Sequence, residues 1–588
     1  MRPRLPLLLL IGFALLLTQP AAGQASPDVF EDAAYEALIA LEEEDWATAI
    51  AQLEPIVAAD PTYLSADLEG SAAYWLGQAY IAQDRPREAH ATWQQGLTAL
   101  DEQGLFDAQL AEAFVRSTFT GGYTADEDLA SRAFVALLDA LDTLAGRDAY
   151  PLLEPHLTGL QLIVPAAIQT QLGLDTWIQS RGSSALAPEA GARLSAWWRG
   201  QDVSPATPLN ERLLEHLRRV AYAQQQYALE ARADERGPLY VRLGAPTKVT
   251  EVQFDRTRFR NKVIDASLSI NISDFYANEF WYYDHLGPDV QFLFINKDGA
   301  FKLGTVRDLL PPAVRSGIGP SQRGLRKAEA TARTLEEIYR QLSIHDSDYG
   351  SRYTEVASFV SLLDDSQSLA EAEALQNNQS RQINAGSSGE TQRRTSAATQ
   401  RGSNASATTP GTSFSSGRPD LFVLSALSQG VAEDDQLTLR REENTPDSFS
   451  NEFDDAEPLP ATVRHARFLD PDGTTRTELY WGVPPGGLEP SRRMRRAIER
   501  EGHSTEDYLM VATLSQRDAA YQARTIEQRR HVLPDIGSTP QASLAPLTYT
   551  LAGDTSLYHV AVQFEQYAAR LDRDGTPLST GPRVLVNT

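Results

Sequence analysis

The feature that most limits the fold is a change of apolar period along the chain. Through residues 27–235 apolar side chains recur at helical spacing, whereas from Asp420 onward they alternate at two, as in half-buried strands. Between these regions lies 376–418, with Asn377-Asn378-Gln379-Ser380, Gly386-Ser387-Ser388-Gly389 and Gly411-Thr412-Ser413-Phe414-Ser415-Ser416-Gly417. Such a run holds too little apolar surface to offset the entropy of ordering, so a disordered linker is expected there. A chain of 588 residues also exceeds one core, and three or four domains are expected. The predicted architecture is multidomain α+β: all-α helical repeats first, then a central α+β domain with a small antiparallel sheet, then an all-β sandwich.

Residues 1–25 read as a secretory signal peptide. Arg2 and Arg4 supply a positive start, and Leu7–Leu17 is an apolar run of 11 residues, too short to span a bilayer. Gly23-Gln24-Ala25 has the small-x-small form of a cleavage site. The mature chain is then expected to be soluble, periplasmic or extracellular, and without a stable membrane span. Cysteine is absent, which closes disulfides, thiolate metal sites and a lipid-modified cysteine anchor. Loss of Arg2 and Arg4 takes the formal net charge from −26 to −28. That field repels phosphate backbones, so nucleic acid is not an expected partner.

Residues 27–103 resemble two tetratricopeptide hairpins. The clearer one has Ala73-Tyr74-Trp75-Leu76-Gly77-Gln78-Ala79-Tyr80, then Ala89, Trp93 and Leu97. Gly77 would let the partner helix approach, and Asp60-Pro61 would end the earlier copy. Such repeats stack on a shared face and leave a groove for an extended peptide, or serve as a spacer. Residues 105–192 continue as a helical extension, which Pro151, Pro155 and Pro165 are expected to break. Asn210 is placed to cap a helix over Glu211–Ala231, with Leu213, Leu214, Leu217, Val220, Ala221 and Tyr227 on its buried face.

A second resemblance rests on Trp197-Trp198-Arg199, Asn210-Glu211, Glu215-His216-Leu217-Arg218-Arg219-Val220-Ala221-Tyr222-Ala223 and Arg236-Gly237-Pro238-Leu239-Tyr240-Val241-Arg242-Leu243-Gly244-Ala245-Pro246. With Phe280-Trp281-Tyr282-Tyr283 and Phe292-Leu293-Phe294, these resemble the GWxTD domain of exported bacterial proteins, over 193–310. Its naming motif is degraded here, because Arg232-Ala233-Asp234-Glu235 precedes Arg236. The resemblance implies an architecture but no activity, and its motif residues Gly237, Tyr240, Gly244, Pro246, Trp281 and Tyr282 are taken as structural. Gly237 is expected to sit left-handed past a helix end, with Leu239–Leu243 as a strand pairing with those near 281 and 293. Asp298-Gly299 signals a hairpin. Residues 311–375 return to helix. In 420–588, strands are expected at Leu421–Leu427, Ala461–Leu469, Thr475–Val483, Tyr508–Ser515, Leu547–Leu551 and Leu557–Leu571, and spacing favours the sandwich.

No catalytic, metal or cofactor site emerges from the residues. Asp470-Pro471-Asp472-Gly473 and Asp572-Arg573-Asp574-Gly575 open like calcium loops, but their twelfth positions are Trp481 and Arg583 rather than carboxylates. The nine histidines lack zinc-helix spacing, Asp284-His285 reads as a turn, and no serine sits in a nucleophile motif. Glu42-Glu43-Glu44-Asp45 reads as a solvated helix end, and Asp434-Asp435 and Asp454-Asp455 as surface loops. The aromatics of the central sheet, Phe280, Trp281, Tyr282, Tyr283, Phe292 and Phe294, would fill both of its faces, or bind sugar or peptide on a face left exposed. The expected function is therefore an exported, non-catalytic interaction or scaffold protein of the bacterial envelope, binding protein or peptide through its repeats. The alternative is an envelope hydrolase acting on peptide or glycan through carboxylates of the central domain.

Overall fold

The structure is a computed structural model. It describes residues 30–65, 68, 70–144, 149–207, 209–229, 233–251, 276–287, 290–310, 315, 325–344, 349–365, 419–443, 445–450, 456–469, 471, 475–482, 487–503, 507–517, 523–533, 551–553, 559–571 and 577–587. The stretches read as a signal peptide (1–25) and a linker (376–418), Asp454-Asp455 and both calcium-like turns except Pro471 lie outside the described residues. The fold is mixed α+β, with helices first and small antiparallel and mixed sheets later. The chain forms two compact units. The first holds Met1–Glu230, Gly237–Gly244 and Asp447–Thr588, the second Ala231–Arg236 and Ala245–Pro446.

In the first unit, α1 (Glu31–Glu42), α2 (Trp46–Ala59), α3 (Ala72–Ala82), α4 (Pro86–Gln103), α5 (Ala108–Gly121) and α6 (Glu127–Asp139) each pack on the next, with the short antiparallel strands β1 (Leu64–Ser65) and β2 (Gly70–Ser71) between α2 and α3. Their boundaries follow from local chemistry. Asp45, Ser71 and Asp107 accept backbone N–H bonds at the starts of α2, α3 and α5, and Gly104 and Gly122 close α4 and α5 in the left-handed region. Gly77 is required by packing, because a Cβ there would lie 1.9 Å from the Trp93 indole nitrogen. Ala89 and Trp93 are buried, as their spacing implied.

Beyond α6 follow α7 (Leu141–Leu144), α8 (Tyr150–Gln161), α9 (Ala166–Leu172), α10 (Leu174–Gln179), α11 (Ala190–Gly200) and α12 (Glu211–Gln226). Pro165 breaks the chain before α9 as expected. Pro151 and Pro155 do not: Pro151 sits in the first turn of α8, where no N–H is needed, and Pro155 is accommodated inside the helix. Asn210 accepts the Leu213 N–H at 2.9 Å and caps α12. One apolar cluster runs from Ala34 on α1 to Val241.

Residues Arg236–Leu243 form a helix, α13, and not a strand. Pro238 falls in its first turn, where proline favours a helix rather than stopping one. Gly237 lies inside the helix, and the left-handed glycine is Gly244, at φ +82°, whose N–H bonds to the Tyr240 carbonyl at 2.8 Å. The strand reading of Leu421–Leu427 is also corrected, since it lies in the helix Pro419–Glu443. Val423, Leu424, Leu427 and Val431 bury one helical face there.

The second unit carries a four-stranded antiparallel sheet in order β3 (Lys248–Thr250), β4 (Asn278–Tyr282), β5 (Gln291–Lys297), β6 (Ala300–Leu303). The segments near 281 and 293 do pair, with Phe280 opposite Leu293 and Trp281 opposite Phe292. Edge strand β3 takes the place expected for Leu239–Leu243. Asp298 and Gly299 make the two-residue hairpin, at φ +56° and +87°. Phe280, Tyr282, Leu293 and Ile295 join a core built with the helices Leu325–Leu342, 349–365 and Pro419–Glu443.

The C-terminal part of the first unit has two sheets. A five-stranded one runs β11 (Ala523–Leu533), β10 (Tyr508–Arg517), β13 (His559–Leu571), β14 (Pro577–Asn587), β7 (Glu457–Pro458). A three-stranded one runs β12 (Leu551–Gly553), β9 (Thr475–Gly482), β8 (Thr462–Leu469). A helix missed by periodicity, Arg492–Arg500, sends Ile498 into the core of the larger sheet with Tyr508, Met510 and Phe564.

Candidate functional site

The motif residues fall into two groups. In the first unit, Gly237, Tyr240 and Gly244 belong to a buried hub centred on Arg219 of α12. Its guanidinium donates to the carbonyls of Arg242 at 3.2 Å and Phe449 at 2.8 Å, and to the Glu215 carboxylate. The Phe449 N–H returns a bond to the Arg242 carbonyl at 2.9 Å. A Cβ on Gly244 would lie 2.6 Å from the Arg219 guanidinium, and one on Gly237 1.6 Å from the Ala228 carbonyl oxygen. Both glycines thus make room for close approaches. The Tyr240 ring stacks on Tyr222 at 4.5 Å, and burial raises its phenol above the ordinary tyrosine range.

Glu215 also meets Arg212 at 2.9 Å. His216, between these arginines on the helix, is buried beside Trp198, with ring centroids 5.2 Å apart. Its imidazole is held well below its usual range, first by burial and then by Arg212, Arg219 and His156. Asn210, besides capping α12, donates to the Trp198 carbonyl at 2.7 Å. Trp198 of the Trp-Trp-Arg run and Glu215, His216 and Arg219 of the Glu-His-Leu-Arg-Arg run therefore build one internal polar centre, while Arg199 and Arg218 are exposed.

In the second unit, Trp281 and Tyr282 are buried in β4, and Pro246 is half-buried in the turn before β3. All six sheet aromatics, Phe280, Trp281, Tyr282, Tyr283, Phe292 and Phe294, are buried, so core packing claims them. Sequence reasoning passed over Asp234-Glu235-Arg236, the segment occupying the place of the degraded motif. Arg236 reaches Asp234 at 2.6 Å and Glu279 at 2.7 Å, and lies 3.6 Å over the Phe301 ring. Glu279 in turn accepts the Trp281 indole N–H at 2.9 Å. The Glu235 N–H bonds to the Phe301 carbonyl, and its carboxylate accepts the Leu303 N–H. These three residues fasten the chain to the edge of β6. Among them, Asp234 and Glu279 are engaged by Arg236, while Glu235 helps to raise Glu442, after burial.

The structure brings together one trio that the sequence concealed. His90 on α4 contacts the Ser117 hydroxyl through Nδ1 and Asp126 through Nε2, both at 3.0 Å. The histidine is buried, with Tyr123 stacked on it at 3.8 Å and Phe114 at 5.1 Å. The residue types are those of a hydrolytic triad. Ser117, however, sits inside α5, whose interior N–H groups close the helix and do not converge on an oxyanion position. The trio ties α4 to α5 and the turn after it.

Asp434 and Asp435 lie on a helix, not in a loop. Asp434 is buried, accepts the Tyr339 hydroxyl and contacts Arg352 at 3.4 Å, while Asp435 pairs with Arg307 at 2.9 Å. Beside Tyr339 and Arg352 is a crevice of about 10 Å³, room for about one water. Glu42–Asp45 is indeed an exposed helix end, and Asp284-His285 a turn. Among the described residues no group of three potential ligands could hold a metal ion, and no helix is long and apolar enough to cross a membrane. Compared with known family models, with curated proteins and with solved structures, the chain matches none.

Proposed function

We propose that this chain is an exported adaptor of the bacterial envelope, without catalytic activity of its own. In this reading a tetratricopeptide-like array holds a protein partner, a GWxTD-like central domain follows, and the two C-terminal sheets form a sandwich-like module. The observation that supports it is the run of helices α1 to α6, each packed on the next, which leaves apolar side chains in water. Tyr35 and Ile39 on α1 and Ile81 after Tyr80 of α3 are 55%, 39% and 43% exposed. Large apolar groups left exposed along a stacked array fit a partner better than solvent.

The test is capture from a bacterial envelope extract with the mature chain and with Tyr35→Glu/Ile39→Glu/Ile81→Glu. These positions are exposed, so circular dichroism should be unchanged. The wild type is expected to retain partners that the variant loses. Recovery of the same proteins by both would overturn the reading.

A further inference from the structure

The helix Arg492–Arg500 stands out on a chain of net charge −26. It is fixed in place at both ends. Ser491 caps it by accepting the Met494 N–H at 3.2 Å and is itself bonded to Glu457. Ile498 is fully buried in the core of the five-stranded sheet. At about 100° per residue, Arg492, Arg496, Arg500 and Arg493 then span about 100° of arc on the side opposite Ile498. All four are exposed, and none has a hydrogen bond or ion pair among the described residues. Four arginines held rigidly and left unpaired form a ready-made surface for carboxylates.

The opposite charge lies on the same chain. Residues 30–144 carry 22 Asp and Glu against four Arg. The turn between α1 and α2 concentrates this charge in Glu42, Glu43 and Glu44, exposed and with no side-chain partner among the described residues. Among the described residues the two surfaces do not pair within the molecule. We propose that the arginine face of Arg492–Arg500 docks on the acidic α1–α2 tip of a second copy, giving head-to-tail self-association.

Each copy offers a different surface. Exchanged reciprocally about a two-fold axis, the contact closes a dimer; without that exchange it propagates into rings or open chains. Net charge opposes association at long range, but at about 150 mM salt the field dies within about 8 Å and the local patches decide. A polyanionic membrane is the competing occupant, and the experiment separates the two.

Sedimentation velocity of the mature wild type, from about 1 to 100 µM, should show a weight-average coefficient that rises with concentration at about 150 mM salt and falls back at about 1 M. Arg492→Glu/Arg493→Glu/Arg496→Glu/Arg500→Glu should remain monomeric, as should Glu42→Arg/Glu43→Arg/Glu44→Arg. Mixing the two charge-reversed chains should restore association, because each then meets its complement. All the altered side chains are exposed, and circular dichroism checks that both variants fold. A wild type that stays monomeric throughout overturns the proposal, as does association unchanged by either reversal. Capture of a monomeric wild type by phosphatidylglycerol vesicles would assign the arginine face to a membrane and overturn it equally.

Discussion

His216 shows what one buried ring can do to the whole stability curve. Burial, Arg212, Arg219 and His156 all disfavour its charged form, so the folded state binds its proton only well below the ordinary value of 6.5. The unfolded chain takes that proton near 6.5. The stabilising effect is therefore complete above 6.5 and is lost as pH falls below it, until the folded imidazole itself protonates. Stability should therefore fall as the pH is lowered from 7.5 to 5.5. Urea unfolding followed by tryptophan fluorescence would measure it. His216→Asn should flatten that stretch of the profile, and an unchanged slope in the variant would exclude His216 as its source. The burial of His216 was legible only indirectly, through the apolar stripe of Leu213, Leu217 and Val220 around it. The trio His90, Ser117 and Asp126 was not legible, because up to 36 residues separate its members and no local pattern encodes which helices will meet.

At the scale of elements, caps and close approaches were readable and short apolar runs were not. Asn210, the Gly77–Trp93 contact and the Asp298-Gly299 hairpin each depend on residues within one or two turns, or on a glycine whose missing Cβ has one use. Leu239–Leu243 and Leu421–Leu427 failed for a shared reason. An apolar run of five to seven residues suits a buried strand and a buried helix alike, and periodicity alone cannot decide. Leu239, Val241 and Leu243 are buried while Tyr240 and Arg242 are less so, which imitates a strand even within α13. The Arg492–Arg500 helix was missed because only Met494, Ala497 and Ile498 are apolar. Gly237 now has a definite role. A Cβ there would strike the Ala228 backbone oxygen at 1.6 Å, and backbone cannot swing aside as a side-chain end can. Gly237→Ala should therefore cost about 3 kcal/mol, at the upper end for overpacking, despite alanine's better helix propensity. A loss under about 1 kcal/mol in urea unfolding would show that α13 shifts freely.

At the scale of the molecule, the period switch was placed too early, since Pro419–Glu443 is helical and the C-terminal strands begin at Glu457, and it could not foresee which parts share a unit. The C-terminal sheets belong with the N-terminal helices, joined through the segment after α11. Ser515 donates to the Pro205 carbonyl at 2.7 Å, Arg517 Nε to the same oxygen at 3.0 Å and its Nη2 to the Thr207 carbonyl, while Ser204 bonds to Gln563. These polar links join residues more than 300 positions apart, so hydrophobic patterning carries no trace of them. Arg517 is the strongest, being charged, buried and bonded to two carbonyls. Its removal forfeits charge-assisted hydrogen bonds of about 1.5–3 kcal/mol and strands the two acceptors. The apolar clusters of the helices and of the five-stranded sheet are separate, so the loss should weaken their coupling more than either part. Calorimetry of Arg517→Ala should then show the sheet melting ahead of the helices, where the wild type melts them together. If the two parts remain coupled in the variant, apolar contact and not these polar links unites the unit.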